Sequence, residues 1–511
     1  MKAAQTFLLL SFLEGASVMA AELIGAKMMA PFFGSSLYVW SAVMAITLGG
    51  LAGGYFTGGF FSSKKDPEKA LYKVLVLAAV FMILLPFTGK FTLHLFGYLS
   101  LLPAVTISSL IILFPPVFMM GMVSPLIIRN ITRDVEHAGQ AAGTIYAIST
   151  LGGILATFAF GFWIIPYFGL SYPAIITGIV LGIYPAILLL KKKDFSGLAL
   201  LFFFFWMLQF AAAPRLANAV KLVYNSEGLL GQVMILDFPN DIYSGDTSRH
   251  GQYTRWLFVN RVSQSMYNPY ADTAAGEEMY FSYIHQLETL ADTFSIEQPK
   301  ALVLGLGGGS AAQMLYRQGF QVEVCELDAR MEYVARNYFG LSPEVKVNID
   351  DARHFIRTTK NKYDLILFDT FKGEDTPSHL ITRESIEEIK TLLSENGILL
   401  INSFGFIDGE KGRGARCIFK TIRHAGLEAI IWPTHEDVET RNLVFVAGRN
   451  PIPDNAVFYS EKELNLEDAL VLSDEYPLYE IINAPAGLSW RRAVIQSLKK
   501  DPYQGSIPVF E

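Results

Sequence analysis

The hydrophobic pattern changes character once along the chain. From Met1 to Pro214 apolar runs alternate with short polar breaks, and from Arg215 onward charges are spread as in a water-soluble protein. A membrane-crossing helix needs roughly 20 apolar residues, because the hydrocarbon layer is about 30 Å thick and each residue rises about 1.5 Å. Seven stretches approach that length, at 6–29, 37–61, 71–89, 99–128, 141–165, 172–190 and 197–213, the last barely long enough. The pattern therefore predicts an α-helical transmembrane bundle of about seven helices, with the fourth broken or kinked at Pro115 and Pro116, which lack a backbone N–H. The first stretch carries Glu14, Glu22 and Lys27 and has no clean small-residue cleavage site, so it reads as a retained helix.

In the second half the period shortens. Alternating runs between 217 and 259, such as Gly231 to Asp237, predict a small antiparallel β unit. The apolar runs Lys300–Leu306, Gln321–Glu326, Val345–Ile349, Tyr363–Asp369, Gly397–Ile401 and Asn442–Val446 then alternate with helical stretches. That alternation predicts an α/β fold, a Rossmann-like doubly wound and mostly parallel sheet. The expected domains are a helical membrane domain at 1–214, the β unit at 215–295, the doubly wound domain at 296–450 and a tail at 451–511 without evident chemistry.

Composition narrows the function classes. The net charge of −7 comes with no long basic block, which argues against a nucleic-acid partner. Cys325 and Cys417 form no Cys-x-x-Cys pair and sit near no His cluster, which argues for core residues and against a metal site. Basic residues mark the second, fourth and sixth loops, at Lys64, Lys65, Lys69 and Lys73, at Arg129 and Arg133, and at Lys191 to Lys193. The positive-inside rule makes those loops cytoplasmic in a multi-pass protein of the cell membrane, with the lipid bilayer as a partner. The side taken by the soluble half depends on whether the seventh stretch crosses. Glu14 and Glu22 share a broad face of the first helix, and such carboxylates either meet a cationic substrate or pair with Lys27 or a neighbouring helix.

The candidate chemistry lies at the ends of the predicted strands. Gly305-Leu-Gly307-Gly308-Gly309-Ser310 follows the first strand and opens a helix, so backbone can approach a ligand closely there. Glu326 ends the second strand, 21 residues after Gly305, where a carboxylate can accept ribose hydroxyls. Asp350 and Asp351 close the third strand, and Asp369 ends the fourth. Ligands of open α/β sheets sit outside the carboxyl ends of the strands, so these positions predict an adenosine-type ligand. Asn402 to Phe406 and Asp408 to Gly414 read as a lid or rim loop, or as an ordinary surface loop.

The series Gln232, Gln264, Tyr280, the glycine turn, Glu326, Asp350-Asp351 and Tyr363 to Asp369 resembles the spermidine synthase (polyamine aminopropyltransferase) family over about residues 220–450. Membrane-fused members, with a helical bundle ahead of a methyltransferase-type domain, look like this chain over its whole length. The resemblance implies aminopropyl transfer from decarboxylated S-adenosylmethionine to a putrescine-like amine, with methylthioadenosine as product and no metal. It implies Asp369 as proton acceptor, Gln232, Gly305, Gly307, Glu326, Asp350 and Asp351 as nucleoside-binding residues, and Gln264 and Tyr280 as the lining of the amine cleft. Phe281 stands where the family has a His, Gly308 where it has an Asp, and Lys372 where it has a second Asp that grips the amine. Methyl transfer, and a transporter-like bundle with a nucleoside-sensing domain, stay open as alternatives, and so does a homodimer.

Overall fold

The computed structural model describes residues 2–33, 37–63, 66–96, 99, 101–132, 137–210, 220–228, 231–239, 251–259, 262–270, 281–294, 297–370, 376–439, 441–450, 458–476 and 478–500. Residue contacts divide the chain into two units, a helical one built mainly from residues 1–215 and an α/β one built mainly from residues 233–507.

The helical unit contains α1 (Lys2–Phe33), α2 (Leu37–Ser62), α3 (Pro67–Phe96), α4 (Leu101–Gly121), α5 (Val123–Ile131), α6 (Ala138–Ala159), α7 (Ile165–Phe168), α8 (Ser171–Lys191) and α9 (Leu198–Phe210). A π-helical turn at Phe160–Ile164 joins α6 to α7, and Met122 separates α4 from α5. Among the described residues these make six helices long and apolar enough to cross a membrane: α1, α2, α3, α4 with α5, α6 with α7, and α8. Of the expected seventh stretch, 197–213, the described residues include α9, 13 residues or about 20 Å of helix against the roughly 30 Å required, and 211–213 lie outside the described residues. The fourth span, expected to be broken or kinked at Pro115 and Pro116, continues as helix through both prolines and is interrupted at Met122.

Small residues set how closely these helices pack. A Cβ added at Gly58 on α2 would lie 2.6 Å from the Met122 carbonyl oxygen, and Gly15 and Gly152 bring α1 and α6 into backbone contact near Ser149 and Phe12. That contact buries Glu14, which accepts a 2.9 Å hydrogen bond from Ser149 Oγ, so its partner comes from a neighbouring helix. At one end of the bundle Asp194 holds Lys69 and Lys73, each at 2.9 Å, and Glu68 holds Lys192 at 3.0 Å. The second and sixth loops therefore meet at the same end of the bundle.

The α/β unit holds two sheets. β1 (Lys221–Gly228), β2 (Gly231–Pro239), β3 (Tyr253–Val259) and β4 (Val262–Tyr267) lie in that order, and β2, β3 and β4 pair antiparallel. The larger sheet comprises β5 (Lys300–Leu304), β6 (Gln321–Glu326), β7 (Lys346–Ile349), β8 (Tyr363–Phe368), β9 (Leu393–Phe404), β10 (Glu428–Pro433) and β11 (Asn442–Gly448), in the order β10-β11-β9-β8-β5-β6-β7. β5 to β9 are parallel, and β11 and β10 add an antiparallel edge. The helices are α10 (Ser282–Ala291), α11 (Ser310–Arg317), α12 (Ala329–Tyr338), α13 (Ala352–Thr358), α14 (Arg383–Leu392), α15 (Arg413–His424) and α16 (Tyr479–Lys500).

The central strands read as continuous apolar runs because helices cover both faces. Leu302, Leu304, Ile366 and Phe368 enter one core cluster, and their neighbours Ala301, Val303, Leu365 and Leu367 enter the other. Cys325 and Cys417 are buried in this packing, and burial pushes the Cys325 thiol up to about 12. The predicted loop at Asn402 is corrected: Asn402 to Phe404 continue β9, which is buried along its last six residues. Strand order reverses at β5, flanked by β6 on one side and β8 on the other, which is where such sheets open a crevice at their carboxyl edge.

Candidate active site

Leu304 ends β5 opposite Cys325 on one side and Phe368 on the other. The next residues, Gly305, Glu326 and Asp369, therefore leave the sheet side by side. Backbone hydrogen bonds continue the ladder past the strand ends, from Gly305 N to Cys325 O at 2.8 Å, from Asp369 N to Leu304 O at 2.8 Å and from Asp350 N to Glu326 O at 3.0 Å. Gly305 adopts φ +93°, and a side chain there would collide with the Asp369 carbonyl. Gly307 and Gly309 also take positive φ, +54° and +83°, a region that only glycine visits freely.

Each carboxylate has a defined environment. Glu326 accepts from Leu306 N in the glycine turn and from Asp328 N, both at 2.8 Å, and burial raises its pKa while these donors oppose the rise. Asp351 caps α13 by accepting from Arg353 N at 2.9 Å and His354 N at 3.1 Å, and lies 3.7 Å from His379 Nε2. Asp350 accepts from Asp351 N at 2.8 Å and contacts His354 Nδ1 at 2.6 Å. Asp351 also lines a cavity of about 470 Å³ together with Arg353, His354, Arg357, His379, Thr382 and Asp474. Asp369 accepts from Tyr283 Oη at 2.7 Å and Asn402 Nδ2 at 2.9 Å, and burial lifts its pKa above the ordinary aspartate value against the pull of those two donors.

Of the positions singled out in the sequence, Gly305, Gly307, Glu326, Asp350, Asp351 and Asp369 thus gather along one sheet edge. Gln264 is half-buried on β4, next to Ser265, whose Oγ accepts the Gly308 N–H at 2.9 Å. Gln232 is half-buried at the start of β2. Tyr280 and Lys372 lie outside the described residues, whereas Phe281 is described and precedes α10 in extended conformation. Sequence reasoning missed Tyr283, Asn402 and Ser265. Asn402 could have been found, since it follows the apolar run Gly397–Ile401 as Asp369 follows its own strand.

Residues 277–405 match the family model described as spermine/spermidine synthase domain. Over that stretch the chain is similar to the spermine/spermidine synthase family. A polyamine aminopropyltransferase from Vibrio vulnificus is 38% identical over 137 residues, which cover 25% of this chain and 45% of that one. Polyamine aminopropyltransferase 2 from Aquifex aeolicus is 24% identical over 435 residues, 82% of each chain, so its similarity extends well beyond the synthase domain. A solved structure of a probable spermidine synthase from Corynebacterium glutamicum aligns with 51% of this chain and 96% of its own, at 18% identity and a TM-score of 0.38. The chain spans less than half of the Vibrio relative.

Proposed function

We propose that this chain is a membrane-held transferase that moves an aminopropyl group from decarboxylated S-adenosylmethionine to a putrescine-like amine and releases methylthioadenosine. The observation that carries this reading is the shared edge, where Glu326 and Asp369 follow the strands on either side of β5 and both adjoin the glycine turn. The adenosine lies against Gly305 and Gly307, Glu326 takes the ribose hydroxyls, and Asp350 and Asp351 serve the adenine. Gln232 supports the nucleoside, while Gln264 and Tyr280 line the amine cleft.

In the reaction the amine nitrogen attacks the carbon bonded to the sulfonium. The N–C bond forms, the C–S bond breaks with its electron pair going to sulfur, and the nitrogen's proton passes to Asp369. An alkylammonium of pKa near 10 cannot attack while protonated, so the base must orient it and draw off a proton. A carboxylate made more basic by burial suits that task. The acidic edge also attracts a cationic donor and a cationic acceptor.

The six long helices support anchoring in the cell membrane, and an even number of crossings returns the chain to its starting side. In this reading the basic loops are cytoplasmic and the synthase-like domain works in the cytosol beside its metabolites.

The test supplies detergent-purified protein with decarboxylated S-adenosylmethionine and a panel of amines. Release of methylthioadenosine is expected from the native protein, and none from Asp369→Asn, which still binds methylthioadenosine. S-adenosylhomocysteine formed from S-adenosylmethionine would establish methyl transfer instead. Nucleoside binding without any turnover would establish a sensing domain.

A further inference from the structure

Glu14 and Glu22 lie well inside the first apolar span, Gln5–Met29, and the transferase chemistry uses neither. Eight residues separate them, about 12 Å along α1 and about 80° around it, so both leave one broad face. The same spacing recurs on α2, which runs antiparallel to α1. Tyr55 stands within electrostatic reach of Glu14, and Thr47, eight residues earlier, stands beside Glu22. α6 completes the first group: Ser149 Oγ donates to Glu14 at 2.9 Å, and the Tyr146 ring meets Tyr55 edge-on at 6.0 Å. Between the two polar groups these faces turn apolar. Val18 on α1 and Leu51 on α2, each four residues from either group, belong to one hydrophobic cluster.

A carboxylate within hydrocarbon is costly unless a countercharge meets it. Among the described residues no lysine or arginine pairs with Glu14 or Glu22, and Ser149 supplies a hydrogen bond without a charge. Lys27, five residues beyond Glu22, leaves α1 about 140° further round. Thr47 is a second, independent sign of a missing group. It is 3% exposed, and its Oγ1, close to Glu22 but short of hydrogen-bond geometry, has no partner among the described residues. Buried hydroxyls are seldom left so. We infer that the face of α1 shared with α2 and α6 is a binding site for a linear polyamine. One ammonium pairs with Glu14 beside the Tyr55 and Tyr146 rings, the other donates to Glu22 and Thr47, and the methylenes between them lie along Val18 and Leu51. Tyrosine rings attract ammonium groups through their faces, which favours an organic cation over a metal ion. The order of charge, apolar stretch and charge along the site matches this class of ligand, whereas a monoamine would leave one carboxylate bare.

This site stands independently of the transferase reading, and its test keeps the two apart. Equilibrium dialysis of radiolabelled spermidine against the detergent-purified full chain should show a saturable site. Glu14→Gln and Glu22→Gln should each weaken it by about tenfold or more, and Asp369→Asn should leave it within about twofold of native. A cooperative melt certifies that each variant is folded. Butylamine, which reaches one carboxylate, should compete about tenfold less well than spermidine. Spermidine affinity unchanged in both glutamine variants, binding lost only in Asp369→Asn, or butylamine competing equally overturns the inference. Where a glutamine variant fails to fold, Tyr55→Leu and Thr47→Val decide from α2: each should weaken spermidine by about fivefold, and affinity unchanged in both rejects the site. A native protein that releases no methylthioadenosine refutes the transferase reading alone and leaves the binding result standing.

Discussion

Ser265 and Gly308 are locked together: the serine Oγ accepts the glycine N–H at 2.9 Å, and a Cβ on Gly308 would lie 2.7 Å from the serine Cβ. Phe339 closes the other side at 3.0 Å. The space that a turn aspartate would need is therefore filled, and the departure at Gly308 is paired with its neighbour on β4. Gly308→Asp should destabilise the protein by about 1–3 kcal/mol, as overpacking does. Adding Ser265→Gly should recover a large part of that loss, and a double-mutant cycle of thermal melts measures the coupling.

Asp369 also links stability to pH. Its folded-state pKa is raised above the ordinary aspartate value, first by burial. A raised acid favours the folded state while it is protonated, and that contribution disappears as pH climbs from the unfolded value through the folded one. Asp369→Asn should therefore melt higher than the native protein at neutral pH. The gap should close below the ordinary aspartate range, and melts across a pH series check the sign. A variant that gains stability while losing turnover is the pattern expected of a buried catalytic charge.

Glu326 serves the protein before any ligand arrives. Its two oxygens accept from Leu306 N and Asp328 N, and Gln at this position would turn one amide NH₂ against a backbone N–H. Leaving that donor unmatched costs about 1–3 kcal/mol. Glu326→Gln should loosen the glycine turn and weaken methylthioadenosine binding by tenfold or more, measured by calorimetry, whereas Asp369→Asn should not.

The parts of this protein visible in its sequence were those carried by local periodicity. The parallel strands were legible because each is a short apolar run, and the rim carboxylates because each directly follows one. Tyr283 was not legible, since nothing in Phe-Ser-Tyr-Ile-His marks a phenol that reaches Asp369 from 86 positions away. β10, from Glu428 to Pro433, was overlooked because it lies at the edge of the sheet, paired along its length with β11 and bridged to Tyr459 only at Ile431, and carries a weaker pattern. α9 shows the limit of hydropathy: its Phe-rich run reads as a spanning helix, while its 13 described residues make about 20 Å.

The proposed topology, with six crossings, makes a sidedness prediction that needs no cysteine-free background. Cys325 and Cys417 are buried, and burial holds both thiols above their ordinary value, so neither competes for a thiol reagent. Single cysteines at Ser63, in the second loop, and at Glu436, on the surface of the synthase domain, would lie on the cytoplasmic side, whereas one at Leu99, in the third loop, would lie outside. In intact cells a membrane-impermeant maleimide should label the Leu99→Cys protein and spare the other two. All three should react after permeabilisation. Labelling of Glu436→Cys in intact cells would mean that the short α9 segment does cross, and that the synthase domain faces away from the cytosolic pool of its nucleoside.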